Sequence, residues 1–175
     1  VSDRACFSCG KTIHLVFLVH CAGLLHDIRG KLKDHAVQGA AAAREKLESG
    51  NDQRLGENDI AAVSFAIRNH EAFKSRRKSD SPVEKLLSGC LYDADKFRWG
   101  PDNFIHTVWD MVEIAPPALS KFVYLYPRAM EYIAAIKATF RTPVGREYGP
   151  QYIDQGLAIG EELLQVVKAR YGNCL

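Results

Sequence analysis

The stretch Leu24-Leu25-His26-Asp27 joins an apolar run to two adjacent residues of the kinds that bind metal ions. The run, residues 13–25, is typical of a buried helix, and it ends directly at the histidine and the aspartate. An imidazole nitrogen and a carboxylate oxygen together suit a divalent ion such as Mn, Mg, Fe, Zn, Ni or Co. Such an ion would activate water, so this pair is the first candidate for hydrolytic chemistry.

Three later residues supply further candidate ligands. His35 begins the second predicted helix, His70 ends the third, and Asp95 lies late on the fourth. Because the ends of several helices can meet at one cavity of a bundle, we expect these side chains to join His26 and Asp27. Asp93 and Asp95 are two positions apart on a helix and point roughly 200° apart, so they should not both bind one ion.

Three basic residues lie close to these ligands in sequence. Arg29 and Lys31 follow the doublet, and Lys96 follows Asp95. Positive side chains beside a metal site can bind a phosphate group and compensate its charge. The predicted catalytic set is therefore Asp27, His35, His70, Arg29, Lys31 and Lys96, and the predicted metal ligands are His26, Asp27, Asp95, His35 and His70.

The remaining sequence predicts only helices. Ser81-Pro82-Val83-Glu84 is the clearest helix start, with an N-cap serine, a proline in the first turn and a capping-box glutamate. No period-two strand pattern occurs, so the fold class is all-α, a bundle of about seven helices. The predicted helices cover 12–27, 35–49, 57–70, 103–113, 118–140 and 151–171, and the helix that starts at Ser81-Pro82 carries Asp93 and Asp95 near its C-terminal half.

The C-terminal half predicts two local features and a pocket wall. Pro127 should split or kink the long helix 118–140. The segment 142–149, with Arg141 and Arg146 nearby, is expected to be a loop that could act as a lid. Trp99 and Trp109 are expected in the core or in the wall of a pocket. As a whole, 1–175 is interpreted as one domain, with a polar lead (1–11), a motif-bearing core (12–100) and a helical buttress or substrate pocket (101–175).

Composition indicates an ordinary globular protein. The chain has 175 residues, 47% of them hydrophobic, and a formal net charge of +2. This balance gives no support to nucleic-acid binding or to a polybasic membrane anchor. The apolar run is shorter than a membrane span, and no signal-peptide cleavage pattern follows it. Five scattered cysteines do not suggest a disulfide framework, so we expect a cytoplasmic protein with reduced thiols.

A second candidate metal site is the N-terminal Cys6-x-x-Cys9 pair with His14. This spacing is the first part of a zinc-knuckle pattern. The pattern would place a fourth ligand at position 19, but that residue is Val19, and Cys21 is two positions late. Incidental free cysteines are therefore the default interpretation, and a small zinc-binding interaction module is the alternative.

The ordered motifs resemble those of the HD superfamily of metal-dependent phosphohydrolases. The resemblance extends over CAGLLHDIRG (21–30), HAVQGAAAAREKL (35–47), IAAVSFAIRNHE (60–71) and LYDADKFRWG (91–100). It implies an all-helical fold and a metal-dependent phosphohydrolase whose substrate is a small phosphomonoester or phosphodiester, for example a nucleotide. His26 and Asp27 would be the ligand doublet and Asp95 the closing ligand. His35 and His70 would bind a second metal ion or contact the phosphate.

One departure from the family pattern leaves two alternatives open. The family motif begins with a further histidine about one helix before the doublet. His14 and His20 are too close to His26 to take that place, and His20 is some 120° away around the helix. Either the first histidine lies upstream of Val1 or the motif lacks it. In the second case the chain would be a catalytically degenerate domain that binds a nucleotide or a protein partner.

Overall fold

The structure is a computed structural model. It describes the backbone of residues 2–50 and 52–172, and the side chains of residues 10–50 and 52–172. The described chain is all-helical and contains no strand, which confirms the predicted fold class. The side chains of Cys6 and Cys9 lie outside the described residues, so the zinc-module interpretation stays a prediction. Cys21 and Cys90 do not form disulfide bonds.

Seven α-helices follow one another along the described chain. A π-helical turn, Asn103–Thr107, leads into the fifth helix, and a 3-10 turn, Lys137–Thr139, follows the sixth. None of the described helices combines the length and apolar character that a membrane span requires. The helices are α1 (Ser2–Leu25), α2 (His35–Gly50), α3 (Glu57–Arg68), α4 (Pro82–Phe97), α5 (Val108–Ile114), α6 (Leu119–Ile136) and α7 (Pro143–Tyr171).

The chain divides into two compact units, residues 1–92 and 93–175. In the first unit α3 packs against both α1 and α2. Its core combines residues of four helices, including Leu18, Val63, Ile67 and Leu87, each of which is fully buried. Burying aliphatic side chains of this size contributes about 2 kcal/mol each. This core therefore fixes the ends of α1, α2 and α3, where the candidate ligands lie. The expectation of one domain stays a prediction.

The second unit has its own core, in which α6 packs against α7. Phe104, Ile136, Phe140 and Ile153 are among its buried members. The Tyr126 hydroxyl donates a hydrogen bond to the carbonyl of Gly160 on α7, at 3.0 Å. α4 begins in the first unit and ends in the second, so the Asp-Ala-Asp-Lys motif belongs to the second unit.

Two sequence predictions about the C-terminal half are wrong. The segment 142–149 is not a loop or a lid, because α7 begins at Pro143 and continues through Pro150. Thr142 is its N-cap, and the hydroxyl accepts a hydrogen bond from the N–H of Gly145 at 2.9 Å. The predicted split at Pro127 is also wrong, since α6 runs through it without interruption, whereas the alternative of a kink stays a prediction. Its predicted extension to residue 140 is replaced by the 3-10 turn.

The first helix also differs from its predicted bounds. α1 begins at Ser2 and not near residue 12, and it ends at Leu25, two residues before the expected position. His26 and Asp27 therefore lie in the turn after the helix and not in its last turn. The predicted capping serine is confirmed at α4, where the Ser81 hydroxyl accepts from the N–H of Glu84 at 3.4 Å.

The stability of the second unit is expected to depend on pH through the Tyr126 phenol. Burial, and then the nearby Glu161 carboxylate, raises its pKa to about 12. An unfolded tyrosine titrates near pH 10. Because the folded pKa is the higher one, the stability that Tyr126 contributes is complete below about pH 10. It is lost as the pH rises through about 12. Absorbance titration of phenolate should show that Tyr126→Phe removes the component with the highest pKa.

The matched control for this titration is Tyr124→Phe on the same helix. Tyr124 is 82% exposed, and its replacement should leave the component with the highest pKa in place. If Tyr126→Phe left that component in place too, the predicted effect of burial on the pKa of Tyr126 would be contradicted.

Candidate metal site

The candidate site begins in the tight turn that follows α1. The N–H of Ile28 donates to the carbonyl of Leu25 at 3.1 Å, and the N–H of Gly30 donates to the carbonyl of Asp27 at 2.8 Å. Gly39 on α2 lies against this turn, since a Cβ there would be 3.1 Å from the His26 carbonyl oxygen. The missing side chain lets α2 approach closely, which brings its first residue, His35, towards Asp27.

Two histidines are oriented by carbonyls at the ends of their own helices. The last carbonyls of a helix have no partner within it, so a nearby N–H can donate to them. The Nδ1 of His26 lies 2.7 Å from the Gly23 carbonyl oxygen, and the Nδ1 of His70 lies 2.6 Å from that of Ile67. A carbonyl accepts but cannot donate, so each Nδ1 carries the proton. Each Nε2 of a neutral ring then presents its lone pair.

Three ligand atoms converge at this point of the first unit. They are Oδ1 of Asp27, Nε2 of His35 and Nε2 of His70. The two nitrogens lie 3.2 Å apart, and the oxygen is 3.9 Å from His35 and 3.7 Å from His70. The point equidistant from all three atoms lies about 2.1 Å from each, which is the length of a zinc–nitrogen or zinc–oxygen bond. By these distances, the three residues could hold a metal ion.

The electrostatics of the cluster also favour a cation. The Nε2 of His70 presents a lone pair, and a carboxylate oxygen and a second imidazole nitrogen face the same point. A proton shared by the two nitrogens would leave the carboxylate oxygen without a partner in the cluster. A metal ion at the central point would bind all three atoms. His70 is 3% exposed and Asp27 is 48% exposed at the side chain. The cluster is thus anchored inside the unit and opens to solvent on the Asp27 side.

Two residues that sequence reasoning did not single out support the cluster. A carboxylate oxygen of Glu71 lies 3.7 Å from Nδ1 of His35, where it favours a proton on Nδ1 and a lone pair on Nε2. Asn69 is buried, and its side-chain oxygen accepts from the N–H of Arg77 at 2.9 Å. This bond ties the loop after His70 back to the end of α3. The only signal for these two residues in the sequence was that they flank the candidate ligand His70.

His26 lies beside the cluster. Its Nε2 is 3.3 Å from Oδ2 of Asp27, the carboxylate oxygen that does not face His35 and His70. Its ring stands edge-on to that of His70, with centroids 5.2 Å apart. His26 therefore contacts both neighbours, and its expected role as a metal ligand stays a prediction. His14, by contrast, pairs with Asp59 of α3 at 3.0 Å.

Asp93, Asp95 and Lys96, the predicted residues on α4, belong to the second unit. Asp95 and Lys96 form an ion pair in which both side chains are less than a tenth exposed, and Arg98 approaches Asp95 at 3.8 Å. Asp93 is buried, and its two carboxylate oxygens accept from the backbone N–H groups of Arg141 and Thr142. Asp93 thus orients the start of α7. The expected roles of Asp95 as a ligand and of Lys96 towards phosphate stay predictions.

Arg29 and Lys31 are exposed in the turn after Asp27. Within the described part of the chain, neither side chain forms a salt bridge. Both cations are thus close to Asp27 in the chain and are not engaged by a described carboxylate.

Comparisons with protein-family models, with curated proteins and with solved structures found no match for this chain. The fold and the site together define an all-helical protein in which Asp27, His35 and His70 could hold a metal ion.

Proposed function

We propose that this protein is a metal-dependent phosphohydrolase of the HD type, which cleaves a small phosphomonoester or phosphodiester such as a nucleotide. The observation that carries the proposal is the central point of the Asp27–His35–His70 triangle, about 2.1 Å from each ligand atom. The ordered sequence motifs and the all-helical fold support the same class.

A divalent ion bound at this point would supply a hydroxide-like water at neutral pH and would polarise a phosphoryl oxygen. His70 and His35 would each contribute an Nε2 lone pair, and the rings are oriented by the Ile67 carbonyl and by Glu71 respectively. Asp27 contributes the negative charge that favours a divalent ion over a proton. The Nε2 of His26 faces the second oxygen of Asp27 at 3.3 Å, so His26 is a further candidate donor of a lone pair to the ion.

Arg29 and Lys31 would bind the phosphate group of the substrate. They are exposed, close to Asp27 in the chain, and not engaged by a described carboxylate. Because their charge acts on the bound phosphate and not on the ion, they should affect substrate binding more than metal binding. The two effects can be separated by experiment.

The test is release of phosphate or of the alcohol from a panel of phosphomonoesters and phosphodiesters, with Mn, Mg, Fe, Zn, Ni and Co each supplied. We expect metal-dependent turnover of at least one ester. In the double variant Arg29→Gln/Lys31→Gln, KM should rise by roughly tenfold while bound metal is unchanged, since two charged contacts to phosphate are lost. Lys168→Gln/Arg170→Gln, which has the same residue types and spacing at exposed positions of α7, is the matched control.

The outcomes separate the proposal from its alternatives. No turnover of any ester by metal-loaded protein would overturn the enzymatic proposal and favour a degenerate domain that binds a nucleotide or a partner. Zinc that persists after replacement of Asp27, His35 and His70 would favour the Cys6/Cys9 module.

A further inference from the structure

The second unit contains a pocket that the proposed phosphohydrolase chemistry does not use. Its volume is 480 Å³, within the range of small-molecule sites. Its wall is almost wholly apolar and includes Trp99, Phe104, Met111, Phe122, Tyr132 and Ile133. Met111 and Leu125 line it and are also substantially exposed, so the pocket has an apolar mouth towards solvent.

The pocket wall includes one buried polar residue. Asn103 lines it and is 5% exposed. Within the described part of the chain, its side-chain amide forms no hydrogen bond. Every side-chain nitrogen or oxygen there that is fully covered from solvent has a hydrogen-bond partner, so the Asn103 amide is not fully covered. The amide therefore keeps access to the pocket. A ligand oxygen in the pocket could accept a hydrogen bond from this amide in the place of water.

Asn103 also begins the π-helical turn Asn103–Thr107. Turns of this kind interrupt regular α-helical bonding and occur frequently at functional sites. Phe104, the next residue of the turn, is buried and forms part of the pocket wall. The irregular turn thus places one polar and one aromatic side chain in the same cavity.

A single cationic side chain, that of Arg128, lines the pocket. It is exposed, and no described carboxylate pairs with it. An apolar chamber with one cation at its surface is complementary to a molecule with an apolar body and one anionic group. The volume is about three times the 150 Å³ cavity that takes up benzene, which corresponds to on the order of 14–19 non-hydrogen atoms.

We propose that this pocket binds an amphiphilic monoanion, a medium-chain carboxylate, with its apolar chain against the aromatic wall and its carboxylate at Arg128. The Asn103 amide accounts for the second polar contact, to an oxygen of the bound molecule. The pocket is lined by residues of the second unit, whereas Asp27, His35 and His70 belong to the first. Carboxylate binding should therefore not require metal.

The test titrates the full-length protein with dodecanoate, kept below the concentration at which it forms micelles, and follows the fluorescence of Trp99. Trp109→Phe removes the only other tryptophan of the chain, so the signal reports on the pocket wall. We expect saturable binding at one site per chain. In a series from octanoate to octadecanoate, affinity should rise with chain length until the pocket is filled and then stop rising.

Two pairs of variants decide the outcome. Ala129→Phe fills the pocket and should weaken dodecanoate binding by at least roughly tenfold, whereas Ala135→Phe, on the same helix outside the wall, should not. Arg128→Gln should weaken dodecanoate roughly three- to tenfold and leave neutral dodecanol unchanged, whereas Arg146→Gln should change neither. Circular dichroism checks that each variant is folded. Absence of saturable binding, or equal binding by Ala129→Phe and the parent, would overturn the proposal.

Discussion

Replacement of Asp27 by asparagine is expected to remove the divalent ion from the protein and to abolish hydrolysis. Asparagine keeps the size of the side chain but loses the charge, and Asp27 is the only carboxylate in the triangle of ligand atoms. Mutating a residue that merely orients a metal ligand costs 10–100-fold in affinity. Loss of the ligand itself should therefore cost on the order of a hundredfold or more. Elemental analysis and calorimetric titration of purified protein measure this directly.

The same variant separates a metal ligand from a structural aspartate. Asp27 is 48% exposed at the side chain, so Asp27→Asn should change the free energy of unfolding little in metal-free buffer. At a metal concentration of about 100 times Kd, bound metal should stabilise the parent by about 2.7 kcal/mol but not the variant. A thermal-shift series with and without metal therefore tests the role independently of any substrate.

Asp80→Asn is the matched control, because Asp80 is an exposed aspartate in the same unit. Its metal content and thermal shift should equal those of the parent. Unchanged metal content in Asp27→Asn would sink the proposed site. If the variant lost metal but released phosphate as the parent does, the proposed metal site would be supported and the proposed chemistry would be overturned.

The candidate site could be predicted in part from the sequence. Residue types and order suggested His26, Asp27, His35 and His70, and the structure brings three of these within coordination distance. The sequence could not show that the Gly23 and Ile67 carbonyls fix the tautomers of His26 and His70, because this depends on where the helices end. Nor could it show Glu71 beside His35, since that contact depends on how α2 and α3 pack.

The start of a helix was predictable where a capping residue and a proline are adjacent in the sequence and are considered together. Ser81-Pro82 predicted the start of α4 correctly. Thr142-Pro143 carries the same signal at α7, but the prolines and glycines that follow are typical of a loop and outweigh it in the sequence. The glycines at 145, 149, 156 and 160 instead provide space, because Phe140, Gly100 and Phe104 lie against them. That function depends on tertiary contacts, which periodicity alone does not reveal.

Replacement of Asp93 by alanine is expected to destabilise the second unit by about 3 kcal/mol. The side chain is 4% exposed, and its oxygens accept from the N–H of Arg141 at 2.8 Å and of Thr142 at 2.7 Å. Both bonds involve a charged acceptor, and their loss leaves two backbone donors without a partner. The negative charge also lies at the N-terminus of α7, where it is favourable. Urea unfolding at neutral pH, monitored by circular dichroism, measures the change.

Asp93→Asn should lose less stability than Asp93→Ala, because the amide oxygen still accepts one of the two bonds while the amide nitrogen faces the other donor. Gly145 supplies a further check, since a Cβ there would overlap the Asp93 carboxylate. Gly145→Ala should therefore be costly in the parent and cheaper in Asp93→Ala, so the two changes should be non-additive. Asp102→Asn, at an exposed aspartate of the same unit, is the control. Strict additivity, or an Asp93→Ala protein as stable as the parent, would contradict a role for Asp93 in holding the start of α7.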